Sequence, residues 1–210
     1  MPGVTDSPRL HLALLGDSIA FGTGTERVED GLGPRLAVAL RADGHDVALA
    51  VLAVPGAVSA DLAAQVRRAV PGTDLAVVVV GANDLARMVA PERAATALGE
   101  AVRALRAAGA DVVVVPAPDM SSLPLVPPAL RPVVRAACAE LQRRQEEVAE
   151  SAGARVAAVA AHVSSTFDGD LSMFAADRYH PSSAGYAAIA AVLVPFVLDA
   201  ARARRDGEVA

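Results

Sequence analysis

A chain of 210 residues with 53% hydrophobic and 20% charged side chains can bury a sizeable core. No linker-like stretch parts it, so one domain over residues 1–210, with its core at about 10–200, is expected. The formal net charge is −5, the only basic run is the tail Arg202, Arg204 and Arg205, and lysine is absent; this excludes a nucleic-acid footprint, a P-loop lysine, a Schiff-base lysine and a lysine general base.

Five apolar runs rich in Val and Leu, at about 10–15, 47–53, 75–80, 111–116 and 155–160, lack the polar alternation of half-exposed strands and predict buried parallel strands. The first is too short for a signal-peptide core. Between them, segments at about 33–43, 60–70, 92–108 and 129–152, and a last one at 183–205, carry Arg and Glu at helical spacing. Strand alternating with helix specifies a three-layer α/β/α, doubly wound, flavodoxin-like sheet of five parallel strands with order 2-1-3-4-5. Two loops are long: the proline-rich stretch 116–128 and the segment 161–182. The longest uncharged stretches, 47–60 and 187–198, fall short of a membrane span and each contains a proline. Cys138, the single cysteine, cannot form an intrachain disulfide and is expected to be packing. A soluble cytoplasmic protein is the expectation.

Ligands of open α/β sheets bind outside the carboxyl ends of the strands. The residues there are Gly16-Asp17-Ser18 after the first strand, Pro55-Gly56-Ala57 after the second, Gly81-Ala82-Asn83-Asp84 after the third, and Asp177-Arg178-Tyr179-His180-Pro181 before the last helix. Each alone reads as a cap or a turn. Together they bring a hydroxyl, a small backbone donor, a carboxamide and a carboxylate with an imidazole to one edge, which is what acyl transfer needs. Ser18 is the candidate nucleophile and His180 its base. Asp177, three residues before His180, is close enough to fix the imidazole tautomer. The backbone N–H groups of Ser18 and Gly56 and the Asn83 amide are the candidate oxyanion donors.

On these four blocks the sequence resembles the SGNH hydrolase superfamily, the GDSL-like esterases and lipases, over residues 10 to about 196. The serine block is Gly16-Asp17-Ser18-Ile19-Ala20-Phe21-Gly22, the glycine block centres on Gly56, the asparagine block is Gly81-Ala82-Asn83-Asp84-Leu85, and the last is Asp177 to Pro181. The resemblance implies a flavodoxin-like sheet, a metal-free Ser-His-Asp mechanism without cofactor, a structural role for Asp17, and esterase, lipase, thioesterase or carbohydrate-deacetylase activity. This chain departs from the family pattern at Val54-Pro55, where an Asn often precedes the glycine, and at Arg178, where a Gly is common.

Acyltransferase and thioesterase chemistry would use the same residues. A function of another class, a non-catalytic flavodoxin-like module cradling a phosphate on Gly22-Thr23-Gly24-Thr25, lacks the lysine such a loop uses. His11, His45 and His162 read as structural or solvent-exposed, and no His, Cys and carboxylate cluster has metal-ligand spacing. The substrate-binding candidates are Leu85, Met120 and Leu123, with Met88, Leu125, Phe167, Met173 and Phe174 as further walls. Aromatic residues make up 3% of the chain and Trp is absent, so stacking platforms for a polysaccharide are scarce. A small-molecule acyl ester is the expected substrate.

Overall fold

The computed structural model describes residues 9–209; residues 1–8 and 210 of the expected domain lie outside the described residues. The strands β1 (Leu10–Gly16), β2 (Val47–Val51), β3 (Leu75–Val79), β4 (Asp111–Val115) and β5 (Arg155–Val156) form one parallel sheet of order β2-β1-β3-β4-β5. The helices are α1 (Ser18–Phe21), α2 (Leu32–Ala42), α3 (Leu62–Ala69), α4 (Ala82–Ala86), α5 (Pro91–Ala107), α6 (Arg131–Ser151), α7 (Val159–Phe167) and α8 (Ser183–Val209).

Successive side chains of a strand point to opposite faces, and both faces here are apolar. Leu12 and Leu14, with Val77, Val79, Val113 and Val115, pack under α2 and α8. Ala13 and Leu15, with Val78, Val80, Val112 and Val114, pack under α3, α5 and α6. A run with no polar residue is therefore what a strand covered on both sides requires.

Two differences from the sequence reading concern the end of the chain. β5 holds only two residues, and the apolar run continues into α7, a helix where a strand end and a loop were expected. Ala157, Ala158 and Ala160 favour helix over strand once the last ladder contact, Ala157 N–H to the Val114 carbonyl at 2.9 Å, has been made. In addition, the uncharged stretch 187–198 is part of a longer apolar helix: the segment Ser183–Gly207 of α8 runs through Pro195 for 25 residues and contains an 18-residue window with a mean hydropathy of 1.8, long and apolar enough by composition to cross a membrane. Its apolar stripe is nevertheless occupied: Tyr186, Leu193, Val197 and Ala200 are buried on the sheet.

At the carboxyl edge of the sheet two buried glutamines supply further backbone partners. Gln65 of α3 accepts from the Gly16 N–H at 2.7 Å and donates to the Gly16 carbonyl at 2.9 Å. Gln145 of α6 accepts from the Ala117 N–H at 2.7 Å and donates to the Val80 carbonyl at 3.1 Å, joining the chain beyond β4 to that beyond β3. Backbone groups left unpaired in a dry interior are costly, so these amides fix the strand ends that carry the site.

Candidate active site

The turn from β1 into α1 places Ser18 at the first helical position, buried at 5% exposure. Asp17 caps the helix, its Oδ1 accepting from the Ile19 N–H at 2.9 Å. Gly16 is obligatory: its φ is +130°, and a Cβ there would fall 1.7 Å from the Val79 carbonyl oxygen. Tyr186 of α8 donates to the Thr23 carbonyl at 2.9 Å and lies 3.4 Å from the Ser18 carbonyl, tying the nucleophile turn to the last helix.

A short hairpin presents His180, the candidate base. Phe174 pairs with Pro181 as an antiparallel bridge, the Ala175 N–H donates to the His180 carbonyl at 2.8 Å, and the Ser182 N–H donates to Met173 at 2.8 Å. Inside it, Asp177 Oδ1 accepts from the backbone N–H groups of Tyr179 and His180 at 2.9 and 3.0 Å, while Oδ2 meets His180 Nδ1 at 2.6 Å. Partial burial works against ionisation of Asp177, but the hydrogen bonds from the His180 ring and from those two backbone groups outweigh it and hold the carboxyl down to about 2. An ionised carboxylate can only accept, so Nδ1 carries the proton and Nε2 is the free, basic nitrogen. The ring of Tyr179 stands edge-on to His180, with centroids 5.0 Å apart.

Arg178, in the position where a Gly is common, has φ +58°. That left-handed conformation explains the preference for Gly, and a non-glycine residue there carries a strain of about 1 kcal/mol. Gly24, part of the stretch considered as a phosphate cradle, packs against the same hairpin: a Cβ there would lie 2.6 Å from the Pro181 carbonyl oxygen and 2.8 Å from His180 Cβ. Its contact is with the His180 hairpin, not with open space.

The candidate oxyanion donors lie at α4 and at the turn it holds. Asn83 donates to the Ala57 carbonyl at 3.1 Å and Arg87 to the Gly56 carbonyl at 2.8 Å. Buried Asp84 accepts from the Ser59 N–H at 3.0 Å and from the Ser59 hydroxyl at 3.0 Å. Three side chains of one segment thus clamp the Pro55-Gly56-Ala57 turn beside the end of β3. Asn83 spends one amide proton on this contact and retains the other. Ser18, as the first residue of its helix, has a backbone N–H with no intrahelical acceptor.

A cavity of ≈ 90 Å³ adjoins Ser18 and His180. Met120 and Leu123 line it, as do Phe167 and Phe174, together with Val159 and Val163 of α7. Leu85 does not: it packs on Ala94, Ala117 and Leu141, because the one-turn helix α4 turns Leu85 toward α5 and α6. Met88 and Leu125 are also not walls, being exposed at 89% and 65%, and Met173 packs on the main core instead. The Ser122 and Ser164 hydroxyls at the cavity donate to the local carbonyls of Asp119 and Ala160, leaving a mainly apolar interior. Among the described residues no group of three His, Cys, Asp or Glu side chains is placed to hold a metal ion.

Sequence reasoning did not single out Gln65, Gln145, Tyr186 or the anchoring roles of Asp84 and Arg87. Asp17 has a further consequence. It is 1% exposed, its Oδ2 has no hydrogen-bond partner, and burial raises its pKa to about 6 despite the facing N–H groups of Ile19 and Gly81. Between the ordinary value of 3.8 and about 6, the folded state keeps a proton that the unfolded chain has released. Stability therefore falls as pH rises through that window and stays lower above it. Asp17→Asn retains the Ile19 acceptor and removes the charge, so it is expected to stabilise the fold by up to about 3 kcal/mol at neutral pH and to bring little gain near pH 4. Urea midpoints at the two pH values check this; a loss of stability at neutral pH would contradict it.

A model of the GDSL-like lipase/acylhydrolase family matches residues 14–188, a span that holds all four blocks. The GDSL-like esterase Rv1075c of Mycobacterium tuberculosis is 33% identical over 203 residues, which cover 94% of this chain. The chain spans 64% of the length of that relative. Among solved structures, TesA superposes with a TM-score of 0.73 at 23% identity, covering 90% of this chain and 99% of its own. The acetylxylan esterase Axe2 from Geobacillus stearothermophilus superposes with a TM-score of 0.72 at 17% identity, covering 90% and 94%. At these identities the two structures bear on the fold.

Proposed function

The chain belongs to the GDSL-like lipase/acylhydrolase family, and from that premise we propose that it is a serine ester hydrolase acting on small acyl esters through Ser18, His180 and Asp177. The observation that carries the reading is the 2.6 Å contact of Asp177 Oδ2 with His180 Nδ1, on a hairpin that sets His180 beside the cavity Ser18 also lines. His180 Nε2 takes the proton from the Ser18 hydroxyl as its oxygen attacks the ester carbonyl, and Asp177 stabilises the imidazolium. The carbonyl oxygen, now an anion, is received by the Ser18 and Gly56 N–H groups and by the second amide proton of Asn83. Collapse of this adduct breaks the ester C–O bond, with the proton passing from His180 to the leaving alkoxide. Water, deprotonated by the same nitrogen, then hydrolyses the acyl-enzyme.

The cavity volume supports a short acyl group, since drug-sized ligand sites usually span roughly 300–1,000 Å³. Each methylene buried there contributes about 0.8 kcal/mol, a few-fold in kcat/KM per carbon until the space is filled.

Steady-state hydrolysis of p-nitrophenyl esters tests the reading, and Asn83→Ala tests the oxyanion assignment within it. Arg87 and Asp84 still hold the Gly56 turn in that variant, so the expected change is a loss of about 10²–10³ in kcat with KM little altered. A higher KM at unchanged kcat would make Asn83 a ground-state binding residue instead.

A further inference from the structure

We propose that the inward stripe of α7, formed by Val159, Val163 and Phe167, is the gauge that sets the acyl-chain length accepted at Ser18. This rests on the hydrolase reading above and places chain-length selection on a helix outside the Ser, Gly, Asn and His blocks.

The three residues stand at i, i+4 and i+8 and therefore share one face of the helix. An amphipathic helix ordinarily closes such a stripe onto the core. Here Val159 and Phe167 are buried at 3% and 8% exposure, but Val163 between them is only partly buried. All three line the cavity, so the middle of the stripe, though it also packs on the core, borders free space.

At one end the Phe167 ring stands edge-on to Phe174, with centroids 5.3 Å apart and planes at 81°. From the α8 side it is held by Gly185, where even a Cβ would come within 3.0 Å of the ring tip. A ring fixed from two sides is a wall and not a swinging gate. Phe174 shares the hairpin of His180 through its bridge to Pro181, so changing it would disturb the base. Apart from the Phe167 ring contact, α7 has no tie of this kind: the polar side chains His162 and Ser164 bond to the helix's own segment, at the carbonyls of Ala158 and Ala160. Substitutions on α7 thus change the cavity without reaching the catalytic groups through hydrogen bonds.

The test is the kcat/KM profile of p-nitrophenyl esters from acetate to decanoate. Val163→Phe fills the space and is expected to lower the hexanoate-to-acetate ratio by about tenfold or more. Phe167→Ala removes the end wall and should move the optimum to longer chains, raising the decanoate-to-butanoate ratio by about fivefold or more. Ser165→Phe, on the exposed outer face of α7, should leave both ratios at their wild-type values. Thermal melts by circular dichroism accompany each variant; if Phe167→Ala does not fold, Phe167→Leu and Val163→Phe decide. Wild-type ratios in the inward variants, with Ser18 still labelled by a fluorophosphonate, would overturn the gauge and leave the hydrolase reading intact. A wild-type protein that neither labels nor hydrolyses any ester would instead overturn the reading on which the gauge depends.

Discussion

Ser18→Ala and His180→Ala are each expected to lower turnover of a p-nitrophenyl ester by several orders of magnitude, and the double variant is expected to be hardly worse than either alone. The serine hydroxyl is a weak nucleophile until the imidazole takes its proton, and the imidazole has nothing to activate once the hydroxyl is gone. Groups that act as one unit give strongly non-additive losses. Losses that multiply in the double variant would mean that the two residues contribute separately, against the proposed mechanism.

The second large effect is expected at Asp177. In Asp177→Asn the amide oxygen can still accept from the Tyr179 and His180 backbone N–H groups that Asp177 Oδ1 now serves. The NH₂ then faces His180 Nδ1 in place of Oδ2. A donor at that position demands the tautomer with Nδ1 bare and the proton on Nε2, so the nitrogen meant to receive the serine proton is already occupied. The fold is kept and the loss in kcat is expected to reach about 10⁴, as in other triads of this kind. Near-wild-type turnover in the variant would show that Asp177 does not control the tautomer. Because hydrogen bonding holds Asp177 down to about 2, its carboxylate stays ionised at any pH well above that value.

Much of the architecture was legible because the strands are buried on both faces. The run 75–80, and 111–116 beyond Asp111 at its start, are apolar throughout, and their alternation with helices leaves one common topology. The run at 155–160 misled for a physical reason. Arg155 and Val156 do form a strand, but a short apolar stretch has no period that separates strand from buried helix. The stripe Val159, Val163 and Phe167 was present in the sequence, yet it extends beyond that run into residues read as loop. The helix expected at 183–205 does run through Pro195, and packing of α8 on the sheet carries it there.

The site residues separate along the same line. Ser18, Gly56, Asn83, Asp177 and His180 are candidates because they stand in local motifs, which a sequence displays directly. Leu85 was misplaced because position after a strand gives an edge of the sheet, not a side of it. Nothing in the sequence separates Gln65 and Gln145 from the other polar residues of their helices, and only the structure shows their amides turned inward onto the strand ends. Arg178 is the opposite case: the departure from the family pattern was visible in the sequence, and the φ of +58° supplies its meaning.

The central claim, an activated serine at the carboxyl edge of β1, is tested most directly by treating the wild-type protein with a fluorophosphonate and locating the adduct by peptide mass spectrometry. The oxygen of an activated serine attacks the phosphorus at neutral pH and displaces fluoride, while an ordinary hydroxyl is inert. The expected result is one adduct, on the peptide that contains Ser18, absent from Ser18→Ala and strongly reduced in His180→Ala. No adduct at Ser18, or labelling that persists undiminished without His180, would contradict the account.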